Sequence, residues 1–236
     1  MGSFEYSDGE TVFEGYLSYD AASTARRPCV LVGHAWSGPG DHFNAVADDL
    51  ARQGYIGLAF DMYGKGRRGD VSGDNSHLMN PLMGNRALLR QRVLAAFNVA
   101  RSHALVNPDK IAVMGHCFGG LCALDLARAN PPGLRGAISI HGLLIAPDFA
   151  EIPCIDASIL VLHGWNDPMV SPEMILSFAD EMTRARADWQ IHAYGNAMHA
   201  FTFEGANIPE LGIKYDKNAH MRSISAISGF LREVLR

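Results

Sequence analysis

Short apolar runs recur along this chain, each four to six residues long and apolar almost throughout. Runs of that length without polar alternation are typical of strands covered on both faces in a parallel sheet. The pattern therefore predicts six buried strands, at 29–33, 56–60, 111–114, 137–140, 159–162 and 190–194.

Longer segments with helical periodicity separate these runs. Their apolar residues recur at three- and four-residue spacing, which places them on one helix face. The sequence thus predicts helices at 42–53, 81–104, 118–129, 172–186 and 218–235. Because strands and helices alternate, the fold class is predicted to be α/β, with a mostly parallel doubly wound sheet and right-handed crossovers.

The beginning of the chain follows another pattern. Residues 4–6 and 11–17 have strand character and are joined through Asp8-Gly9, so they predict an antiparallel hairpin at the sheet edge. No Pro-, Gly- or Ser-rich linker divides the sequence, and we expect residues 1–236 to form a single domain.

Composition narrows the class of protein. With 48% hydrophobic and 19% charged residues and a net charge of −5, the sequence is typical of a globular protein and lacks the basic footprint of a nucleic-acid binder. The N-terminus has no signal-peptide pattern and no window is apolar enough to span a membrane, so a cytoplasmic location without membrane association is expected. The cysteines form no CxxC pair, and we expect free thiols and no bound metal.

Residues 115–120 carry the most informative motif, Gly-His-Cys-Phe-Gly-Gly, between a predicted strand and a predicted helix. This is the nucleophile-elbow pattern G-x-Nuc-x-G with Cys117 as the nucleophile. The flanking glycines allow the tight turn, and the helix N-terminus favours a thiolate at Cys117. The alternative is a glycine-rich turn holding a structural thiol.

Two further strand ends carry the residues that a nucleophile needs. Asp167 follows the strand at 159–162, and His199 follows the strand at 190–194. The chain order Cys117, Asp167, His199 is the order of nucleophile, acid and base in α/β-hydrolases. The alternatives are a turn-forming Asp-Pro pair and an ordinary loop histidine.

Taken together, the runs Gly-His-Cys-Phe-Gly-Gly, His-Gly-x-x-Asp-x-x-Val and Met-His-Ala-Phe resemble the dienelactone hydrolase family. The resemblance implies an α/β-hydrolase fold of about eight strands, a Cys117-His199-Asp167 triad, and hydrolysis of lactones or esters without a cofactor. It also implies an oxyanion hole formed by the backbone N–H groups of Phe118 and Trp36.

The sequence departs from this family in two places. Ala35 stands where the best-known members carry a glutamate beside the oxyanion loop. The segment after His199 offers Phe201 and Phe203 where those members carry an arginine that binds the substrate carboxylate. The candidate substrate-binding residues are therefore His34 in the oxyanion loop, Phe201, Phe203, and Arg86 as a replacement cation, with Arg67 and Arg68 as further cations.

The leading hypothesis is a hydrolase of small carboxylic esters or lactones that forms an acyl-enzyme thioester. Its partner is a small-molecule substrate, and it is expected to act as a monomer or a small homo-oligomer. Two alternatives remain open at this stage. One is a thioesterase or peptidase that uses the same triad, and the other is a catalytically silent binder of small molecules.

Overall fold

An eight-stranded sheet is the largest feature of the computed structural model, which describes residues 2–70, 72–148 and 154–236. Its strands follow the order β1-β2-β4-β3-β5-β6-β7-β8 across the sheet. They are β1 (Gly2–Ser7), β2 (Val12–Ser18), β3 (Arg27–Gly33), β4 (Ile56–Phe60), β5 (Val106–His116), β6 (Leu134–Ile140), β7 (Ser158–Gly164) and β8 (Trp189–Tyr194).

The direction of pairing separates the hairpin from the remaining strands. β3 to β8 pair in parallel, whereas β1 and β2 pair antiparallel to each other and β2 pairs antiparallel to β4. The predicted edge hairpin and the mostly parallel sheet are therefore confirmed. Every residue of β4 is buried, as expected of a strand covered on both faces.

The helices cover the two faces of the sheet. They are α1 (Asp41–Arg52), α2 (Ser76–Met83), α3 (Arg86–Ser102), α4 (Phe118–Arg128), α5 (Pro172–Arg184) and α6 (Lys217–Val234). α1 and α6 pack on the face that carries Val30 and Val32, and α2 to α5 pack on the face that carries Leu31. No helix in the described ranges is both long and apolar enough to cross a membrane.

One helix prediction was wrong. The segment 81–104 does not form a single helix, because the chain breaks at Gly84 and Asn85 between α2 and α3. The Asn85 side chain accepts a hydrogen bond of 3.0 Å from the Leu88 N–H and so caps α3. Apolar periodicity runs through this break and could not reveal it.

Candidate active site

Cys117 occupies the turn between β5 and α4 with a backbone that few non-glycine residues adopt, at φ 53° and ψ −114°. Two hydrogen bonds hold this conformation: the Cys117 N–H donates to the Ile140 carbonyl (2.9 Å), and its carbonyl accepts from the Gly120 N–H (3.0 Å). Strain of this kind persists only where the surroundings enforce it, and it is concentrated at functional sites.

Glycines let three backbones meet around this turn. A Cβ atom on Gly119 would lie 2.5 Å from the Gly33 carbonyl oxygen, and one on Gly115 would collide with the Gly119 backbone. β3, β5 and α4 therefore pack against one another without side chains between them. This is the strand–turn–helix arrangement that the glycine pattern predicts.

His199 and Asp167 meet at the carboxyl ends of neighbouring strands. Asp167 lies in the turn after β7, and its Oδ2 accepts a 2.7 Å hydrogen bond from Nδ1 of His199. Its Oδ1 accepts from the Met169 N–H at 2.9 Å, so both carboxylate oxygens are bonded. Because Nδ1 donates to Asp167, Nε2 of His199 remains for Cys117.

A small ribbon that the sequence did not reveal holds the His199 backbone. It pairs β9 (Asn207–Ile208) with β10 (Ile213–Lys214). The His199 N–H donates to the Gly212 carbonyl (2.8 Å), and the His199 carbonyl accepts from the Lys214 N–H (3.0 Å). The loop that carries the histidine is thus fixed by hydrogen bonds from both backbone groups of His199.

Opposing effects determine the charge of His199. Burial lowers its pKa, but the Cys117 charge and the hydrogen bonds to Asp167 and Cys117 outweigh burial and raise the pKa to about 10. The imidazolium is therefore the favoured form of His199, and it lies beside the Cys117 sulfur. An imidazolium in this position can serve as a proton donor at neutral pH.

The expected oxyanion donors lie on either side of the elbow. Phe118 is the first residue of α4, where a backbone N–H has no acceptor within the helix. Trp36 lies in the loop between β3 and α1, and its carbonyl accepts a 2.8 Å hydrogen bond from the Tyr63 hydroxyl. That bond fixes the backbone of the Trp36 loop.

His34, a candidate substrate-binding residue, is buried, and both of its ring nitrogens are bonded to the backbone. Its side chain is only 1% exposed, its Nδ1 donates to the Ala35 carbonyl (2.6 Å), and its Nε2 accepts from the Met62 N–H (3.0 Å). Burial lowers the pKa of His34 to about 4, so the ring stays neutral. Its hydrogen bonds tie the loop between β3 and α1 to the residues after β4.

Arg86 is likewise not available as a carboxylate-binding cation. Its Nε and Nη2 form a bidentate ion pair with the buried Asp125 at 2.7 and 2.6 Å, and Nη2 also donates to the Ile145 carbonyl. A substrate carboxylate would have to displace Asp125 from this pair. Of the other two candidate cations, Arg68 pairs with Glu14 and Arg67 donates to the Tyr63 carbonyl.

The two phenylalanines after His199 have different environments. Phe201, a candidate substrate-binding residue, is 0% exposed and packs in the core against Tyr194. Phe203 is 37% exposed, and its ring lies edge-on to His42 at 5.8 Å between centroids. Phe203 therefore remains a candidate for an apolar wall.

Sequence reasoning missed a group of histidines around the elbow. The rings of His42, His116, His141 and His199 follow one another with centroids 5.0 to 6.1 Å apart. His116 precedes Cys117 and His141 directly follows β6, so the strand-end rule that found His199 also applied to His141. Within the described ranges, no three His, Cys, Asp or Glu side chains are arranged to hold a metal ion.

The remaining cysteines differ from Cys117 in environment. Cys29 and Cys122 are fully buried, and burial raises the pKa of Cys29 to about 12 and that of Cys122 well above its usual value. The Cys154 thiol donates to Asp156 in a loop. Cys117, which is partly exposed, is the thiol next to an imidazole.

Comparison with known proteins agrees with this architecture. Residues 13–235 match the model of the dienelactone hydrolase family. The Caenorhabditis elegans protein K02A2.1 is 40% identical over 61% of this chain and 93% of its own length. A Bradyrhizobium sp. protein named "Probable 2-oxo-3-(5-oxofuran-2-ylidene)propanoate lactonase" is 28% identical over 84% of each chain.

A solved structure extends the similarity to the whole chain. It is described as a dienelactone hydrolase-like promiscuous phosphotriesterase from metagenomic libraries, and it is 34% identical with a TM-score of 0.92. The alignment covers 99% of this chain and 98% of that one. Together with the strained cysteine elbow and the aspartate–histidine pair beside it, these matches show that the chain belongs to the dienelactone hydrolase family and is a hydrolase.

Proposed function

We propose that Cys117, His199 and Asp167 act as nucleophile, base and orienting acid in the hydrolysis of small carboxylic esters or lactones. The observation that carries this proposal is the His199–Asp167 hydrogen bond of 2.7 Å, which directs the other ring nitrogen toward the strained Cys117. A nucleophile, its base and a group orienting the base are the three parts that covalent acyl transfer requires.

In the first half-reaction, the Cys117 thiolate attacks the substrate carbonyl carbon and its electrons move onto the carbonyl oxygen. The Phe118 and Trp36 N–H groups are the proposed donors to that oxyanion. The C–O bond then breaks, and the His199 imidazolium gives its proton to the departing alkoxide. The product is a Cys117 thioester.

In the second half-reaction, neutral His199 takes a proton from water, and the resulting hydroxide attacks the thioester carbonyl. The C–S bond breaks, and the acid product leaves with the Cys117 thiolate restored. Asp167 keeps Nδ1 protonated throughout, so that Nε2 is the nitrogen that exchanges the proton. Asp167 itself is not protonated in either step.

The thiolate favours some substrates over others. It is a good leaving group as well as a strong nucleophile, so attack on a poorly activated ester or amide reverts before the C–O or C–N bond breaks. Lactones, enol esters and thioesters expel their leaving groups more easily. The lactonase name of the Bradyrhizobium relative supports a lactone as the physiological class.

Phosphotriesters are a second candidate substrate class. The metagenomic relative described as a promiscuous phosphotriesterase aligns with 99% of this chain at 34% identity. A neutral triester needs no cation, and the exposed Phe203 and His42 rings, with centroids 5.8 Å apart, are the proposed surface beside it. The same donors would then bind the phosphoryl oxygen.

The experiment is a burst measurement with p-nitrophenyl acetate, followed by turnover of lactones, thioesters and a p-nitrophenyl phosphotriester. We expect Cys117→Ala to abolish both burst and turnover while the fold is retained, and the matched variant Cys122→Ala to keep both. Mass spectrometry after iodoacetamide treatment should find Cys117 modified first. Full activity in Cys117→Ala would refute the proposed nucleophile, and absence of both burst and turnover in the native protein would favour a silent binder.

A further inference from the structure

His141 directly follows β6 and projects its ring into the loop that carries His199. Its backbone is in the left-handed region at φ 41°, which is unusual for a residue other than glycine. Its N–H donates to the Leu162 carbonyl of β7 at 2.8 Å. The position of the ring is therefore set by the sheet and not by the loop.

Three residues of one loop contact this single ring. The His199 ring meets it edge to face with centroids 5.0 Å apart, and the Phe201 ring does so at 5.3 Å. The Thr202 hydroxyl forms a 2.9 Å hydrogen bond with Nε2 of His141. The chain from 199 to 202 thus wraps around the imidazole, with Ala200 turning at φ 56°.

The ring of His141 remains uncharged in this position. It is only 4% exposed, and its Nδ1 is buried without a hydrogen-bond partner. Burial, together with the nearby His199 and His116, keeps its pKa well below the usual range. A neutral ring presents its face or edge to the His199 imidazolium without the repulsion that a second positive charge would cause.

We propose that His141 is a positioning residue for the reaction, restraining the ring of His199 through an edge-to-face contact in addition to its bond with Asp167. This inference rests on the proposed role of His199 as the base. Asp167 restrains one ring nitrogen, but a single hydrogen bond leaves the ring free to tilt about it. Contact with His141 removes that freedom, because His141 is anchored to β7 and bonded to Thr202.

The loss of this contact would act on the proton transfer more than on substrate binding. Displacement of a catalytic group by about 1 Å can cost on the order of a hundredfold in rate. The groups facing the His199 ring are Cys117, Asp167 and His141, with His163 nearby. A tilted ring would weaken its pairing with the Cys117 thiolate, so the pH dependence of thiolate reactivity should also change.

The test uses three variants and two matched controls. His141→Ala removes the ring, His141→Phe keeps an aromatic ring without the Thr202 bond, and Thr202→Val removes only the hydroxyl. His103→Phe, at the end of α3, and Thr183→Val, on α5, make the same substitutions away from the site. For each protein we would measure kcat and KM for p-nitrophenyl acetate, the pH profile of iodoacetamide inactivation, and the unfolding midpoint.

We expect His141→Ala to lower kcat about a hundredfold, and Thr202→Val and His141→Phe to lower it about five- to tenfold, the worth of one hydrogen bond. KM should stay within about twofold. The half-maximal pH of inactivation should rise by about one unit in His141→Ala. Both controls should match the native protein in kcat, KM and the pH profile, even where the lost hydrogen bonds of His103 and Thr183 lower the unfolding midpoint.

Several outcomes would overturn the role of His141. If His141→Ala kept the native kcat while His199→Ala was inactive, the positioning role of His141 would be refuted and the proposed triad would stand. A kcat loss that merely follows a lower unfolding midpoint, with an unchanged pH profile, would show a structural role only. If His141→Ala does not fold, Thr202→Val and His141→Phe decide by the same criteria. Activity that persists in both Cys117→Ala and His199→Ala would refute the proposed function instead.

Discussion

Helix α4 has a buried polar cluster at each end, and the two are built on opposite principles. Near its C-terminus, Arg86, Asp125, Arg128 and Glu181 form an ion-pair cluster with contacts of 2.6 to 3.0 Å. At its N-terminus, Cys117 stands among histidines, two of which, His116 and His141, each keep a buried ring nitrogen without a hydrogen-bond partner.

The two clusters differ in whether their charged groups are paired with opposite charges. Arg128 donates to both Asp125 and Glu181, so moving any charge there would expose an unpaired partner. Around Cys117, burial keeps the neighbouring imidazoles neutral, and only His199 is favoured in its charged form. Breaking a paired buried cluster leaves an uncompensated charge, whereas the proton of His199 can be moved during a reaction.

The largest expected effect separates the two members of the pair beside Cys117. His199→Ala should cost more in kcat than Asp167→Ala, because His199 handles the proton in both half-reactions and Asp167 only orients it. In the unrelated protease subtilisin, the corresponding difference is about two orders of magnitude. Steady-state kcat/KM with p-nitrophenyl acetate measures it, and near-native values for both variants would contradict the triad.

Substitutions in the ion-pair cluster should lower the stability of the fold and leave the catalytic rate nearly unchanged. Asp125→Ala leaves Arg86 without its carboxylate and should lower the free energy of unfolding by about 3–5 kcal/mol, with kcat nearly unchanged. Urea unfolding and p-nitrophenyl acetate turnover give the two values. A strong fall in kcat with an unchanged free energy of unfolding would contradict a purely structural role for the ion-pair cluster.

The neutral histidines should make the protein sensitive to acid. Burial lowers the pKa of His34 to about 4 and that of His116 to about 3, and it lowers the pKa of His141 well below its ordinary value. In the unfolded chain these groups titrate near their ordinary value of about 6.5. The unfolded state therefore binds more protons below that pH, and stability is present above about 6.5 and lost as the pH falls.

This linkage can be measured group by group. Three histidines that protonate only on unfolding give a slope of at most about 4 kcal/mol per pH unit, and removing one lowers it by about 1.4. We therefore expect urea unfolding of His116→Phe between pH 4.5 and 6 to show the shallower slope. Equal slopes for the variant and the native protein would mean that His116 protonates within the folded state.

The smallest expected effect concerns substrate charge. The segment after His199 carries the aromatic Phe203, and Arg86 is paired with Asp125. A carboxylate-bearing lactone would lose a charge-assisted hydrogen bond, about 1.5–3 kcal/mol or roughly ten- to a hundredfold in affinity. We expect a higher kcat/KM for a dienelactone methyl ester than for its free acid. A clear preference for the free acid would contradict this expectation and would indicate a cationic side chain beside the substrate carboxylate.

Much of the fold could be predicted because it depends on local patterns. The strands were recognised as short apolar runs, since strands buried on both faces tolerate few polar residues. The hairpin followed from its Asp-Gly turn. The break between α2 and α3 could not be predicted in the same way, because it depends on the Asn85 side chain capping the next helix while apolar spacing continues across it.

The candidate triad could be predicted from the sequence, because parallel strands bring their carboxyl ends to one edge of the sheet and so place residues distant in the chain together. The environments of His34, Arg86, Phe201 and His141 could not be predicted, because the identity of a side chain does not reveal its partner. Arg86 forms an ion pair with Asp125, and Phe201 is buried in the core. The sequence by itself determined which groups can react, and tertiary packing decided which buried groups are already bonded and which remain free to exchange a proton.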